Sequence, residues 1–197
     1  MLILLLVIFF SRVSGSQSNI ICDIVGATNF NTLYSDALSC YKGQPFNGAY
    51  SSDNSAPISD ICDYDTSDWL YYGVISCDDS HRITGIAFSG LILAGTLPSS
   101  LGNLWSLTSM DFGTNKFGGS IPSSFGYLIN MQYLWLGDNY LTGTIPSSLG
   151  LATTLTELQL QNNYLTGPIP NSIPNLPDLQ LFQIQNNGLS GSLSSYF

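Results

Sequence analysis

The sequence has 197 residues, of which 44% are hydrophobic and only 9% are charged, with 4 Lys and Arg residues against 13 Asp and Glu residues. The apolar fraction excludes a disordered chain, which needs low hydrophobicity and high charge density. The formal net charge of −9 leaves no basic patch for nucleic acid, and the length allows one domain, or one domain with a small cap.

Residues 2–10 form an apolar run that ends at Ser11. A helix needs about 20 apolar residues to cross a bilayer, so this run is too short to do so. A short apolar core followed by small residues is typical of a secretory signal, and we expect residues 1–16 to be a signal peptide. Arg12 follows the apolar run, whereas the positive charge of a signal peptide precedes it. The alternative to a cleaved signal peptide is an uncleaved anchor. No other stretch resembles a membrane span, so the mature chain is expected to be extracellular.

Four cysteines follow this segment: Cys22, Cys40, Cys62 and Cys77. An even number in an exported chain favours disulfides, and the spacings lack the C-x2-C pairs of zinc sites.

Residues 23–38 carry apolar residues at the spacing of one helix face, which is typical of an amphipathic helix. An aspartate-rich stretch at 60–68 lacks the glycine and terminal glutamate of an EF-hand, which favours a solvated loop over a calcium site.

The histidine count limits catalysis. His81 is the single histidine, so a triad or a zinc site would have to use it. The sequence contains no phosphate-binding, dinucleotide-binding or H-E-x-x-H motif. Paired carboxylates stay open as a catalytic arrangement, and no cofactor is expected.

From Ile83 onward the sequence repeats with a constant period of 24 residues and no gap. The coils are 83–106, 107–130, 131–154, 155–178 and a partial coil at 179–197. A fixed period of this length predicts a solenoid, in which each coil buries its apolar positions against its neighbours.

The first, fourth and sixth positions of every coil are apolar, and the alternation there predicts a short strand. The strands should be parallel and centred near 86–88, 110–112, 134–136, 158–160 and 182–184. Apolar residues at positions 11, 15 and 19 are expected to fill the other side of each coil.

Three polar or special positions also recur. Position 9 is Asn115, Asn139, Asn163 and Asn187 in the later coils, where an amide can satisfy backbone groups as the coil turns. Position 13 is always glycine, which indicates a backbone that disfavours a Cβ. Position 16 is proline in four coils, which predicts an extended or 3₁₀ segment. The serine pairs after these prolines are interpreted as surface hydroxyls that favour a helix start.

The consensus L-x-x-L-x-L-x-x-N-x-L-x-G-x-I-P-x-x-L-G-x-L resembles the plant-specific class of extracellular leucine-rich repeats. That class forms receptor-kinase and receptor-like ectodomains and the polygalacturonase-inhibiting proteins. The resemblance implies an α/β repeat fold, a right-handed leucine-rich-repeat solenoid with a short parallel sheet on its concave face.

Trp69, Gly73-Val74, Cys77-Asp78 and Arg82 resemble the end of the amino-terminal cap of the same class. Residues 17–82 are therefore expected to form a disulfide-stapled cap, and 83–197 the repeats. The class implies the pairs Cys22–Cys40 and Cys62–Cys77, one of three possible connectivities. The fifth coil lacks its proline, and either Tyr196 and Phe197 cover it or the chain is truncated.

Outward positions on the strands supply the candidate ligand-binding residues. These are Asp111, Tyr133, Trp135, Asp138, Glu157, Gln159, Gln161 and Gln183. Tyr133 and Trp135 lie two residues apart and so point to the same face, where aromatics beside carboxylates can anchor a partner. The alternative is that Trp135 packs over Tyr133 and neighbouring glutamine stems.

These features predict a secreted, non-enzymatic module that binds an extracellular protein or peptide through its concave face, as receptors and inhibitors do. One alternative is a structural or wall-associated protein that binds glycan through its Ser/Thr rows. Another is a glycosidase that pairs Asp111 with Asp138 or Glu157. The enzyme is disfavoured because the class is non-catalytic and a shallow sheet excludes little water.

Overall fold

A computed structural model describes residues 74–80 and 82–191. The strands are β1 (Val74–Cys77), β2 (Ile83–Ala87), β3 (Ala94–Thr96), β4 (Ser109–Asp111), β5 (Lys116–Gly118), β6 (Tyr133–Trp135), β7 (Thr142–Gly143), β8 (Glu157–Gln159), β9 (Tyr164–Pro168), β10 (Leu181–Gln183) and β11 (Gly188–Ser190). Short 3₁₀ helices cover Ser99–Asn103, Ser123–Tyr127 and Ser147–Leu151.

The main sheet has the strand order β1-β2-β4-β6-β8-β10. From β2 to β10 every pair is parallel, which confirms the predicted set of five parallel strands. Residues 24 apart stand opposite each other, as Met110 does Leu134. Each of β4, β6, β8 and β10 is centred one residue earlier than predicted. The antiparallel pairing of β1 with β2 was not predicted.

The core is a column of apolar side chains between this sheet and the 3₁₀ helices. In the first four coils the residues at positions 1, 4 and 6 are at most 4% exposed, which confirms the predicted core. Positions 11, 15 and 19 of those coils are buried as well. In the last coil Leu179, Phe182 and Ile184 are only partly buried against this core.

The position-9 asparagines join neighbouring coils, as Asn139 illustrates. Its Nδ2 donates to the carbonyl of Phe112 in the preceding coil (3.0 Å) and approaches those of Leu136 and Gly137 in its own (3.2 and 3.1 Å). Its Oδ1 accepts the Phe117 N–H at 2.9 Å. The same contacts recur at Asn115, Asn163 and Asn187. The predicted ladder is therefore confirmed, and it bonds each coil to the one before.

Positions 10 to 14 of the coils carry further strands. Strands β3 and β5 form one small parallel sheet and β7, β9 and β11 another, neither of which was predicted. The position-13 glycines lie within these strands or directly after them, and all have positive φ, 76° at Gly143 and Gly167. This backbone explains why the sequence excludes a Cβ there.

Each 3₁₀ helix starts directly after its proline, as predicted, with no side-chain capping bond. The predicted helix starts at the serine pairs are therefore confirmed, although no serine side chain caps them. Ser148 Oγ donates to the Ser123 carbonyl of the preceding coil at 2.7 Å, and equivalent bonds join Ser124 to Ser99 and Ser172 to Ser147. Gly126 permits this approach, since a Cβ there would overlap the Ser148 carbonyl.

Arg82 links the β1–β2 turn to the first coil. Its guanidinium pairs with Asp78 at 2.6 Å and lies 4.8 Å from the centre of the Trp105 ring. The hydrogen bond from the Arg82 side chain holds the pKa of Asp78 below its usual range. The same residues therefore close the turn and pack it onto the repeats.

Several expectations fall outside the described residues. These are the signal peptide (1–16), nearly all of the cap (17–82), both disulfides, His81, the aspartate-rich stretch, and Tyr196 with Phe197.

The asparagine ladder gives a first testable prediction. Replacing Asn139 by Leu leaves the buried Phe117 N–H and three carbonyls without this partner. We expect the free energy of unfolding to fall by about 3 kcal/mol or more, measured by chemical denaturation. Asn103→Leu, at an exposed site, is the control. An equal loss in both variants would contradict the role of the ladder.

Backbone strain at Ile92 gives a second prediction. Ile92 is 56% exposed and has a φ of 58°, a conformation that is costly for a β-branched residue and tolerated by asparagine. We expect Ile92→Asn to raise the free energy of unfolding by about 1 kcal/mol. Ile129→Asn is the matched control, because Ile129 is 58% exposed without positive φ. No gain in Ile92→Asn relative to this control would refute the prediction.

Candidate binding surface on the concave sheet

Outward side chains of the main sheet form two rows on the concave face. The third positions align as Gly85, Ser109, Tyr133, Glu157 and Leu181, and the fifth as Ala87, Asp111, Trp135, Gln159 and Gln183. These are the rows predicted from the sequence. The period of 24 fixes them because parallel strands in register place equivalent positions side by side, about 4.8 Å apart.

Tyr133, Trp135, Glu157 and Gln159 come together in the middle of the sheet. The rings of Tyr133 and Trp135 lie 5.9 Å apart at an angle of 59°. Trp135 Nε1–H donates to Glu157 Oε2 at 3.0 Å, and Gln159 Nε2 donates to the same oxygen at 3.2 Å. Tyr133 is 37% exposed, while Trp135 is half-buried. We call these four residues the central cluster.

The contacts of Trp135 bear on both interpretations made from the sequence, ligand binding and surface packing. The indole packs on Tyr133 as the packing interpretation requires, and it is also hydrogen-bonded to a carboxylate. These contacts fix the ring before any partner arrives, which lowers the conformational entropy lost on binding. A fixed, half-exposed aromatic group is the kind of residue that dominates the energy of protein interfaces.

The other candidate residues surround the central cluster. Asp111 stands opposite Trp135 in the sheet, and its Oδ1 accepts the Gly113 N–H at 2.9 Å. Gln183 stands opposite Gln159 on the edge strand β10. All are therefore in the same sheet, but no described hydrogen bond joins Asp111 or Gln183 to the cluster.

Asp138 and Gln161 lie past the carboxyl ends of the strands. Asp138 has a φ of 58°, and its Oδ1 accepts Asn162 Nδ2 at 2.6 Å. Asn186 Nδ2 in turn donates to Asn162 Oδ1 at 2.5 Å, so an amide row runs along this rim. Gln161 packs over Gly137, and its Oε1 is buried without a hydrogen-bond partner.

The described charged side chains on this face are all negative. Its carboxylates are Asp111, Asp138 and Glu157, and among the described residues the one ion pair is that of Arg82 with Asp78. In the same part of the chain no three His, Cys, Asp or Glu side chains are grouped to hold a metal ion. The face therefore presents unpaired negative charge beside aromatic rings.

Two exposed apolar groups were not singled out from the sequence. Tyr140 and Tyr164 stack at 6.0 Å on the rim. Their signal was the recurrence of tyrosine at position 10 in two consecutive coils. Four more apolar side chains are exposed at or just after the ends of the 3₁₀ helices: Trp105, Tyr127, Ile129 and Leu151.

The serine side of the coils carries shallow grooves lined by Thr144, Pro146, Ser147 and their neighbours. The hydroxyls of Ser124, Ser148 and Ser172 are used in the bonds between coils. They hold the coils together, which leaves fewer hydroxyl protons for the glycan contacts of the wall-associated alternative.

The family model named Leucine Rich Repeat matches residues 106–128, 130–151 and 154–176. These segments are leucine-rich repeats. The match falls on the coils whose strands carry the central cluster, and it agrees with the parallel sheet and the period. No curated protein sequence matches this one.

Solved leucine-rich-repeat structures from plants share the fold. A chain of the BIR3–SERK2 complex from Arabidopsis thaliana is 27% identical with a TM-score of 0.65, over 87% of this chain and 82% of that one. The Arabidopsis BIR2 ectodomain is 32% identical with a TM-score of 0.57, over 59% of this chain and 62% of that one.

A longer relative is the ectodomain of the Arabidopsis receptor kinase GASSHO1/SCHENGEN3, in complex with CASPARIAN STRIP INTEGRITY FACTOR 2. It is 28% identical with a TM-score of 0.58, over 71% of this chain. This chain spans only 16% of that ectodomain and 62% of BIR2. Among the described residues, no helix is long and apolar enough to cross a membrane.

Proposed function

We propose that this protein is a secreted, non-enzymatic recognition module that binds an extracellular protein or peptide through its concave face. The observation that carries the proposal is the central cluster, where Trp135 is held by Tyr133 and Glu157 in the middle of the sheet. Two of the similar plant structures are complexes with a second protein: that of BIR3 with SERK2, and that of the receptor-kinase ectodomain of GASSHO1/SCHENGEN3 with CASPARIAN STRIP INTEGRITY FACTOR 2.

A catalytic role is disfavoured by the form of the site. Glu157 has one oxygen occupied by two donors on an open sheet, and general acid–base catalysis needs a carboxyl group placed against an enclosed substrate. Recognition requires only complementary shape and charge, which an open sheet supplies.

The proposal predicts a large effect of Trp135→Ala on binding. A screen of extracellular proteins and peptides against the immobilised protein identifies the partner. We then expect Trp135→Ala to weaken binding by about 2 kcal/mol or more, measured by calorimetry. The melting temperature is measured in parallel, since Trp135 also packs on Tyr133.

Trp105→Ala is the matched control, because Trp105 is a 52% exposed tryptophan away from the concave face. It should leave the affinity unchanged. Unchanged affinity in both Trp135→Ala and Tyr133→Ala would remove the binding site from the middle of the sheet. Retention on insoluble polysaccharide, with no protein partner, would favour the wall-associated alternative.

Export is tested separately. We propose that residues 1–16 are removed and that residues 17–82 form a cap held by Cys22–Cys40 and Cys62–Cys77. Mass spectrometry of protein secreted by a eukaryotic host should then show an amino terminus near Gln17 and no alkylatable thiol. Reduction should lower stability by about 3 kcal/mol for each short loop. An intact Met1 or free thiols under non-reducing conditions would contradict this prediction.

A further inference from the structure

The carboxylate of Glu157 is fixed in position but not neutralised. Both groups that donate to its Oε2, the Trp135 indole and the Gln159 amide, are uncharged. No described hydrogen bond uses its Oε1. Among residues 74–80 and 82–191 the basic side chains are those of Arg82, which pairs with Asp78, and of Lys116, which lies in the separate β3–β5 sheet. Within the described residues, Glu157 therefore has no cationic partner and has one free oxygen.

Aromatic faces lie next to this charge. Tyr133 stands directly opposite Glu157 across the β6–β8 pair, and Trp135 is bonded to it. The face of an aromatic ring carries partial negative charge, so a cation is attracted to it. Asp111 stands opposite Trp135 on the other side, which adds a second carboxylate to the same neighbourhood.

We propose that the central cluster is a binding site for an arginine side chain of the partner. A guanidinium group stacks flat on aromatic rings and donates to carboxylate oxygens in the same plane. In this site it would lie against Tyr133 and Trp135 and donate to Glu157 Oε1. An anionic group would be repelled by Asp111 and Glu157, and an apolar group would leave the free oxygen of Glu157 buried and unpaired.

This inference rests on the proposed function, because it specifies which chemical group of the partner occupies the same face. It also assigns separate roles to the residues. Trp135 and Tyr133 supply contact area, Glu157 supplies the charge, and Gln159 positions the carboxylate through its hydrogen bond. Removing the charge of Glu157 alone should therefore weaken the binding of a cation and leave the aromatic surface of Trp135 and Tyr133 intact.

The experiment is a titration followed by ¹H–¹⁵N NMR at the indole N–H of Trp135, assigned with Trp135→Phe. The probes are N-acetyl-arginine methylamide and its citrulline counterpart, which has nearly the same shape but no charge. We expect a saturable shift with the arginine probe and at least a tenfold weaker apparent affinity with the citrulline probe. The arginine affinity should fall at least fivefold in Glu157→Gln, which keeps the size of the side chain and one acceptor oxygen for Trp135 and Gln159 but removes the charge and the second acceptor.

Asp178→Asn is the control, because it removes the same charge from an exposed residue outside the five parallel strands. It should leave the arginine affinity unchanged. Absence of a shift, equal shifts with both probes, or an equal loss in Glu157→Gln and Asp178→Asn would overturn the inference. The rest of the spectrum reports whether each variant is folded.

The partner found by the screen separates this inference from the proposed function. One outcome is that Trp135→Ala weakens that complex while replacement of each arginine of the partner by glutamine does not. In that case the concave face is the binding site, but the inference that it binds an arginine side chain is wrong. If neither Trp135→Ala nor Tyr133→Ala has an effect, the proposed site itself fails.

Discussion

The fold depends on the hydrogen bonds that the position-9 asparagines make between coils. A coil that turns away from its strand leaves N–H and C=O groups pointing inward, where no sheet and no water can meet them. Asn139 satisfies such groups in its own coil and in the coil before it at once. Each coil is therefore complete only when the next one has folded against it. We therefore expect the apolar column and the parallel sheet to form as one cooperative unit.

The same constraint fixes the geometry of the concave face. Because the asparagines and the apolar core fix the register of β6 and β8, Trp135 and Glu157 are held at hydrogen-bonding distance without help from a partner. The scaffold supplies the rigidity, and the outward positions are left free to vary. Thus Tyr133, Trp135 and Glu157 can be specific to this protein while the inward positions keep the pattern of the repeat.

The period of the sequence was enough to predict the rows of the concave face, because a parallel sheet converts a spacing of 24 residues into lateral neighbours. It was not enough for details that depend on side-chain rotamers. The bond from Trp135 to Glu157 and the positive φ of Ile92 are examples. The hydrogen bonds that the serine pairs make between coils were not predicted for a related reason. Local helix-start chemistry is visible in a sequence, whereas the carbonyl that Ser148 reaches lies 25 residues away.

The constant offsets between bonded residues have an evolutionary consequence. The asparagine bonds join residues 22 and 27 apart, and the serine bonds join residues 25 apart, in coil after coil. A duplication of 24 residues therefore supplies every new donor with an acceptor, wherever in the coil the duplication begins. A one-residue insertion, in contrast, misplaces all these partners at once. Genes for such chains can lengthen in whole coils by unequal recombination, and the concave face then gains a complete new strand with its own outward positions on which selection can act.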